Sequence, residues 1–374
     1  METPGRGRGR SVEVDFFRGI VLIVIVLDHI PGSTLSHLML HAYALCDSAE
    51  VFVFLGGYAS AAAYTAVLAH RGEHAAQLRF LKRCGEIYRA YLLTAMLTLV
   101  SGAILALLDL NRPMVEMTGW PPFALQPWRQ AFDIALLRRQ PYLSSVLPMY
   151  VLFALCVPVM VPLARRSASL ALAVSVTVWA VARPLAALFS IDAVADWAFN
   201  PFAWQLMFVL GMLCRVQPIS ERFHASYTSQ WLTRVAVVAV LGFAMVKLFV
   251  LTQPLPGTHK QNLSVERVIN FIVIAWLAAQ FVRMGSIAWL ARRLPAVVTV
   301  GRTGLVCFVT GTLVSLIIDT ATPHTFHGFR AVLVGLGGDF AAIGALLMIA
   351  RGWSGWSGRK GQQSGAQANG AGCG

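Results

Sequence analysis

The stretch DFFRGIVLIVIVLDHIPG, residues 15–32, decides the fold. From Ile20 to Leu27 every side chain is aliphatic, so a helix through this run has no polar face to turn toward water. Such a helix sits in lipid or in protein, not on an aqueous surface. Pro31 and Gly32 follow Asp28 and His29 at once and kink or unwind it, because proline lacks the N–H of the helical hydrogen bond and clashes with the preceding turn. With Arg18 at the cytoplasmic edge of a membrane, His29 lies eleven residues further on. That is about 16 Å at the helical rise, near the middle of a hydrocarbon core about 30 Å thick or slightly beyond it. Ionisable groups at such depth are costly and are functional candidates by default. A buried His and Asp beside opened backbone read as one of two things: the wall of a polar cavity, or a structural His–Asp pair.

The same pattern recurs along the chain. Apolar stretches are expected as helices at 17–36, 48–69, 87–109, 143–163, 168–190, 199–216, 232–252, 266–284, 297–319 and 329–351. They are apolar on every face and lack the alternating ten-residue segments of a membrane β-barrel. The expected fold is all-α, a polytopic integral membrane protein of about ten transmembrane helices. It divides into a basic cytoplasmic segment (1–14), one membrane domain (15–352) and a disordered cytoplasmic tail (353–374) of low complexity. Of 374 residues, 57% are hydrophobic and 13% charged, against about 25% charged in soluble domains. No small-residue cleavage site follows the first run, so no cleaved signal peptide is expected.

The formal charge of +13 does not imply a nucleic-acid partner, because the cations are spread in short clusters between apolar runs. These are Arg6, Arg8 and Arg10; Arg71, Arg79, Lys82, Arg83 and Arg89; Arg165 and Arg166; Arg215 and Arg222; Arg283, Arg292 and Arg293; and Arg351, Arg359 and Lys360. The intervening loops 37–47 and 191–198 carry no Lys or Arg, and only the 110–142 loop, with Arg112, Arg129, Arg138 and Arg139, departs from the alternation. The bias places both termini in the cytoplasm of a bacterial inner membrane, with the lipid bilayer as partner. Cys46, Cys84, Cys156, Cys214, Cys307 and Cys373 form no CxxC pair and lie mostly in or beside apolar runs. They read as small hydrophobes, with no metal site and no bound cofactor expected.

Chemistry concentrates in the first two helices. CDSAEVFVFLGGY (46–58) puts Asp47 and Glu50 three apart, on one helical face. Asp47 reads equally as an N-cap; Glu50 lies deeper, where capping is not expected to account for it. Gly56-Gly57 permits close helix packing. Further on, Asn200-Pro201 is a natural helix start, with Trp204 and Gln205 following. THKQNLSVERVINF (258–271) puts Lys260, Asn262 and Arg267 on the periplasmic side, against the positive-inside bias. That pair of cations reads either as an anion-binding site or as solvated loop charge. Lys247, Asp319 and Asp339 receive no role from the sequence.

At this point a family resemblance appears. VDFFRGIVLIVIVLDHIPGSTLS (14–36), SAEVFVFLGGYASA (48–61), FNPFAWQLMFVLGM (199–212), HKQNLSVERVINF (259–271) and VGRTGLVCFVTGTLVS (300–315) resemble, in order, segments of OpgC-type membrane proteins. These are related to the acyltransferase-3 family, whose first helix carries Arg-Gly and then a His regarded as catalytic at the spacing of Arg18 to His29. Gly56 and Gly304 stand where that pattern commonly has Ser. The resemblance implies O-acylation of a carbohydrate: a succinyl group passing from succinyl-CoA, a cytoplasmic co-substrate, to hydroxyls of a periplasmic glucan. In such chemistry a neutral His29 takes the proton of the attacking hydroxyl. A carboxylate holds its tautomer, and Glu50 or Asp47 suits that role better than adjacent Asp28, which points about 100° away around the helix. His29, Glu50 and Asp28 are the expected catalytic groups, and Asp47, Arg18, Asn200, Gln205, Asn262, Lys260 and Arg267 the expected substrate-binding groups, the last two for an anionic acyl group or glucan. The rival readings are a secondary transporter for an anion or sugar, using the same charges as a proton relay, and an O-acetyltransferase acting on another surface glycan.

Overall fold

A computed structural model describes residues 11–188, 197–251, 255–322 and 327–370. Arg6, Arg8, Arg10 and Cys373, and most of the 191–198 loop, lie outside the described residues. Those described form helices and connecting turns, with no strand among them. The chain divides into two compact units, one holding Leu38–Phe281 and the other Ser11–His37 with Val282–Gly374.

The first unit is built on α2, Ser48–Leu107, whose helix is interrupted at Gly72 with φ 80° and ψ 177°. Glycine has no Cβ to forbid that region. In a straight helix Tyr64 and Phe80 would stand about 24 Å apart along the axis. Their rings lie 5.7 Å apart, so the chain bends sharply at Gly72 and the two arms close on each other. Two of the apolar stretches seen in the sequence, 48–69 and 87–109, thus share one element.

Against α2 pack α3 (Val146–Arg166) and α6 (Pro201–Val216); between these in sequence come α4 (Ala168–Ala180) and α5 (Ala182–Leu188), set at 65° to each other. The α2–α6 contact is a mutual backbone approach. A Cβ on Gly57 would strike the Phe208 carbonyl, and one on Gly211 the Phe54 carbonyl, so the expected close packing at Gly57 is realised with a glycine opposite. Beside it the Tyr150 hydroxyl, donating to Phe52 O at 2.9 Å, fills the space over Gly56 that a Ser side chain would need. The unit also contains α7 (Tyr227–Met245) and α8 (Val265–Arg283). Helix α7 exposes Val235, Val238, Leu241 and Met245; an apolar face of this size suits lipid and not water.

The second unit comprises α1 (Val12–Asp28), α9 (Pro295–Arg302), α10 (Gly304–Ala321) and α11 (Phe329–Gly370), with α1 packed on α9 and α10. Helix α11 continues to Gly370, into the stretch whose composition suggested a disordered tail. The continuation follows a helix already nucleated, so each added residue closes a hydrogen bond without a new nucleation cost.

Among the described residues, six helices can cross a membrane by length and apolarity, or seven if α4 and α5 form one broken span. The expectation of ten is not reached on that criterion. The α2 arms count once, while α1 and α6, at 17 and 16 residues, are shorter than the others. The protein is thus an all-helical, membrane-embedded chain.

Candidate functional site

In the second unit, α1 ends at Asp28, eight residues short of the end of the 17–36 stretch, at the break expected around Pro31 and Gly32. Ser11 caps its start, accepting from Val14 N, and His29 is its C-cap with φ −98° and ψ 9°. Past it the backbone turns through Ile30–Ser33, and Ser33 N donates to Ile30 O at 2.9 Å. The half-buried His29 ring lies with Nδ1 2.6 Å from the Ile25 carbonyl. A carbonyl oxygen only accepts, so the neutral ring carries its proton on Nδ1 and its basic lone pair on Nε2. That bond to α1's own backbone orients the ring. Asp28 Oδ1 accepts from Ser36 Oγ at 3.2 Å. Nearer the start of α1, buried Asp15 pairs with Arg302 at 3.4 Å. A Cβ on Gly304 would stand 3.2 Å from Nη2 of Arg18, so that glycine leaves the guanidinium its room.

In the first unit, Asp47 and Glu50 are brought together on one face, as their spacing implied, and both grip Arg267. Nε of Arg267 donates to Glu50 Oε1 at 2.6 Å and Nη2 to Asp47 Oδ2 at 3.0 Å. Lys260 Nζ adds a second cation on Asp47 Oδ2 at 2.7 Å and lies 5.7 Å over the Phe199 ring. Asp47 is the N-cap of α2, accepting from Ala49 N at 2.8 Å, and Glu50 closes the capping box through its bond from Asp47 N at 2.9 Å. This corrects the expectation that capping leaves Glu50 unexplained. An acidic residue three after an N-cap is the signature of that box, and Asp-Ser-Ala-Glu carries it. Both Glu50 oxygens are thus engaged inside this cluster. Asn270 Oδ1 completes it by accepting the Leu45 and Cys46 amides at 2.8 and 3.2 Å. Lys260 is thus paired with Asp47, and Arg267 with both Asp47 and Glu50.

The other expected binding residues join each other nearby. Asn200 caps α6, and its amide nitrogen donates to Asn262 Oδ1 at 3.0 Å and to Ala182 O at 3.2 Å. Fully buried Trp204 donates to the carbonyls of Lys260 and Gln261 at 3.0 and 3.1 Å. Trp179 donates to Leu263 O at 2.8 Å, and Gln261 to Trp197 O at 2.8 Å. Gln205 turns instead to Ser175, accepting from its hydroxyl and donating to its carbonyl, both at 2.7 Å. The short helix Gly257–Gln261 and the turn after it are thereby pinned by indoles and amides. Sequence reasoning saw these polar groups but not that they satisfy one another, and it left Trp179 and Asn270 out. Their bonds span dozens to hundreds of positions, and no local pattern reports them. Among the described residues no three His, Cys, Asp or Glu side chains gather as a metal would require.

These features define a helical, membrane-embedded protein with a His at a helix break and a closed charge network at the head of a second helix. The model of the OpgC protein family matches residues 10–358, and the chain belongs to that family. Membership points to a transferase that modifies a glucan by acyl transfer. No curated protein and no solved structure matches the chain.

Proposed function

We propose that the protein is an O-acyltransferase of the bacterial inner membrane, crossing it ten times with both termini in the cytoplasm, that moves a succinyl group from succinyl-CoA to hydroxyls of a periplasmic glucan. One observation carries the mechanistic part: His29 stands where α1 unwinds, with Nδ1–H bound to the Ile25 carbonyl, which makes Nε2 the basic nitrogen.

In the proposed step, Nε2 takes the proton of a glucan hydroxyl as its oxygen attacks the thioester carbon. The carbon–sulfur bond then breaks, and the imidazolium returns its proton to the departing CoA thiolate, giving the ester and free thiol. The Nδ1 bond matters twice. It holds the ring in one tautomer, and the carbonyl dipole stabilises the imidazolium that forms. The donor is a co-substrate consumed each turnover and needs no resident cofactor.

The test is mass spectrometry of periplasmic and surface glycans from a strain lacking the gene. Loss of a succinyl mass on periplasmic glucan supports the reading. Loss of acetyl from another glycan would redirect it to an O-acetyltransferase, and unchanged glycans with impaired solute uptake would make the protein a transporter.

A further inference from the structure

Asp339 received no role from the sequence and takes no part in the proposed step. It lies ten residues into α11, about 15 Å from the start of the helix, and its side chain is fully buried. Oδ2 accepts the backbone N–H of Leu35 at 2.8 Å, across 304 positions of sequence. Oδ1 is buried too and has no hydrogen-bond partner among the described residues. A buried carboxylate satisfied at one oxygen is costly, and an apolar side chain of similar size would stabilise the fold more. The reason for the residue therefore lies in the bond it makes.

That bond fixes the segment that follows His29. Val332, Gly335 and Asp339 fall at i, i+3 and i+7, on one face of α11, and Gly32–Leu35 lies along that face. Thr34 Oγ1 donates to Val332 O at 3.1 Å. A Cβ on Gly335 would collide with Thr34 Oγ1 and stand 2.6 Å from Gly32 O, so only glycine lets the segment lie so close. The same segment is tied back to the end of α1. Ser36 N donates to Ser33 Oγ at 3.0 Å, and Ser36 Oγ donates to Asp28 Oδ1 at 3.2 Å. Adjacent residues Leu35 and Ser36 are thus held by Asp339 on α11 and by Asp28 beside His29.

We infer that Asp339 is a positioning residue for His29: by accepting from Leu35, the first residue of a short 3-10 helix, it clamps the Gly32–Leu35 segment to α11, and so sets the end of α1 that carries Asp28 and His29. The catalytic half of this inference rests on the acyl-transfer reading; the clamp itself does not.

The experiment uses the full chain in lipid nanodiscs, as wild type, Asp339→Leu and Asp339→Asn, at matched amounts of monodisperse protein. Leucine fills the volume and removes the acceptor. Its kcat for transfer from succinyl-CoA to glucan falls about 10- to 100-fold, the scale of a small misplacement of a catalytic group, while KM for succinyl-CoA is unchanged. Asparagine keeps an oxygen for the Leu35 N–H and restores most of the rate. Hydrogen–deuterium exchange of the peptide holding Leu35 rises in Asp339→Leu and returns to the wild-type level in Asp339→Asn. Exchange needs no catalysis, so a wild-type enzyme that transfers nothing sinks the acyl-transfer reading and leaves exchange to judge the clamp. Wild-type kcat in Asp339→Leu, unchanged exchange at Leu35, or an Asn variant as slow as the Leu variant overturns the inference.

Discussion

The two polar regions are built on opposite plans. Around Arg267 every charge has a partner of opposite sign: two carboxylates, a second cation, and a capping box that uses the oxygen Arg267 leaves. Around His29 the contacts run to uncharged groups: Nδ1 to a backbone carbonyl, Asp28 to a hydroxyl, Asp339 to a backbone amide. A closed network in a low-dielectric interior rigidifies the elements it joins. Arg267, Asp47 and Glu50 join α8 to the head of α2, and the proposed base stands in the other region. The contrast can be broken from either side.

The largest effect is expected at His29. His29→Ala lowers acyl transfer about 10²- to 10⁴-fold, the usual loss on removing a general base, with the protein still inserted and abundant. Acylated glucan measured at matched membrane levels checks this, and a near-normal rate would reduce His29 to a structural residue.

Next comes Arg267→Leu. It leaves Glu50 without its cation and Asp47 with Lys260 alone, and breaking a buried pair in this way destabilises by about 3–5 kcal/mol. The expected result is a marked fall in thermal midpoint and in folded yield. If stability holds while acylation vanishes, the network belongs with the chemistry and the contrast is wrong.

Glu50→Gln sharpens the same point. The sequence suggested that Glu50 orients His29, in which case the losses from Glu50→Gln and His29→Ala do not add. The bonds to Arg267 and to Asp47 N predict instead a stability loss of about 1–3 kcal/mol and rate losses that multiply. The double variant, assayed against both singles, decides between them.

The smallest effect is expected for Asp47→Asn. Asparagine caps a helix about as well as aspartate, so Ala49 N keeps its acceptor while Lys260 and Arg267 lose a charge. A thermal shift smaller than that of Glu50→Gln is expected, and a larger one would make the ion pairs outweigh the cap.

What the sequence made legible was local. The end of α1 followed from Pro31 and Gly32, the α6 start from Asn200-Pro201, the shared face of Asp47 and Glu50 from a spacing of three, and the close approach at Gly57 from paired glycines. What it hid was the identity of partners. Arg267 is 217 positions from Glu50, and Asp339 is 304 from Leu35; periodicity reports which way a side chain faces, never what it meets. That is why the sequence points to neither Arg267 as a partner of Glu50 nor Leu35 as a partner of Asp339. The family was legible because it rests on ordered strings of residues, which need no partner to be read.

The corner at Gly72 bears on how the chain meets a protease. An ordinary interhelical loop offers several extended residues, and nicks and inserted tags are tolerated there. Here Arg71, Gly72 and Glu73 are exposed, yet helix runs up to the glycine from both sides. A protease that needs an extended strand of substrate finds one residue of it. Trypsin given access to both faces of the membrane should therefore spare the bond after Arg71, despite its exposure. A tag inserted after Gly72 would have to unwind a turn of each arm to be displayed.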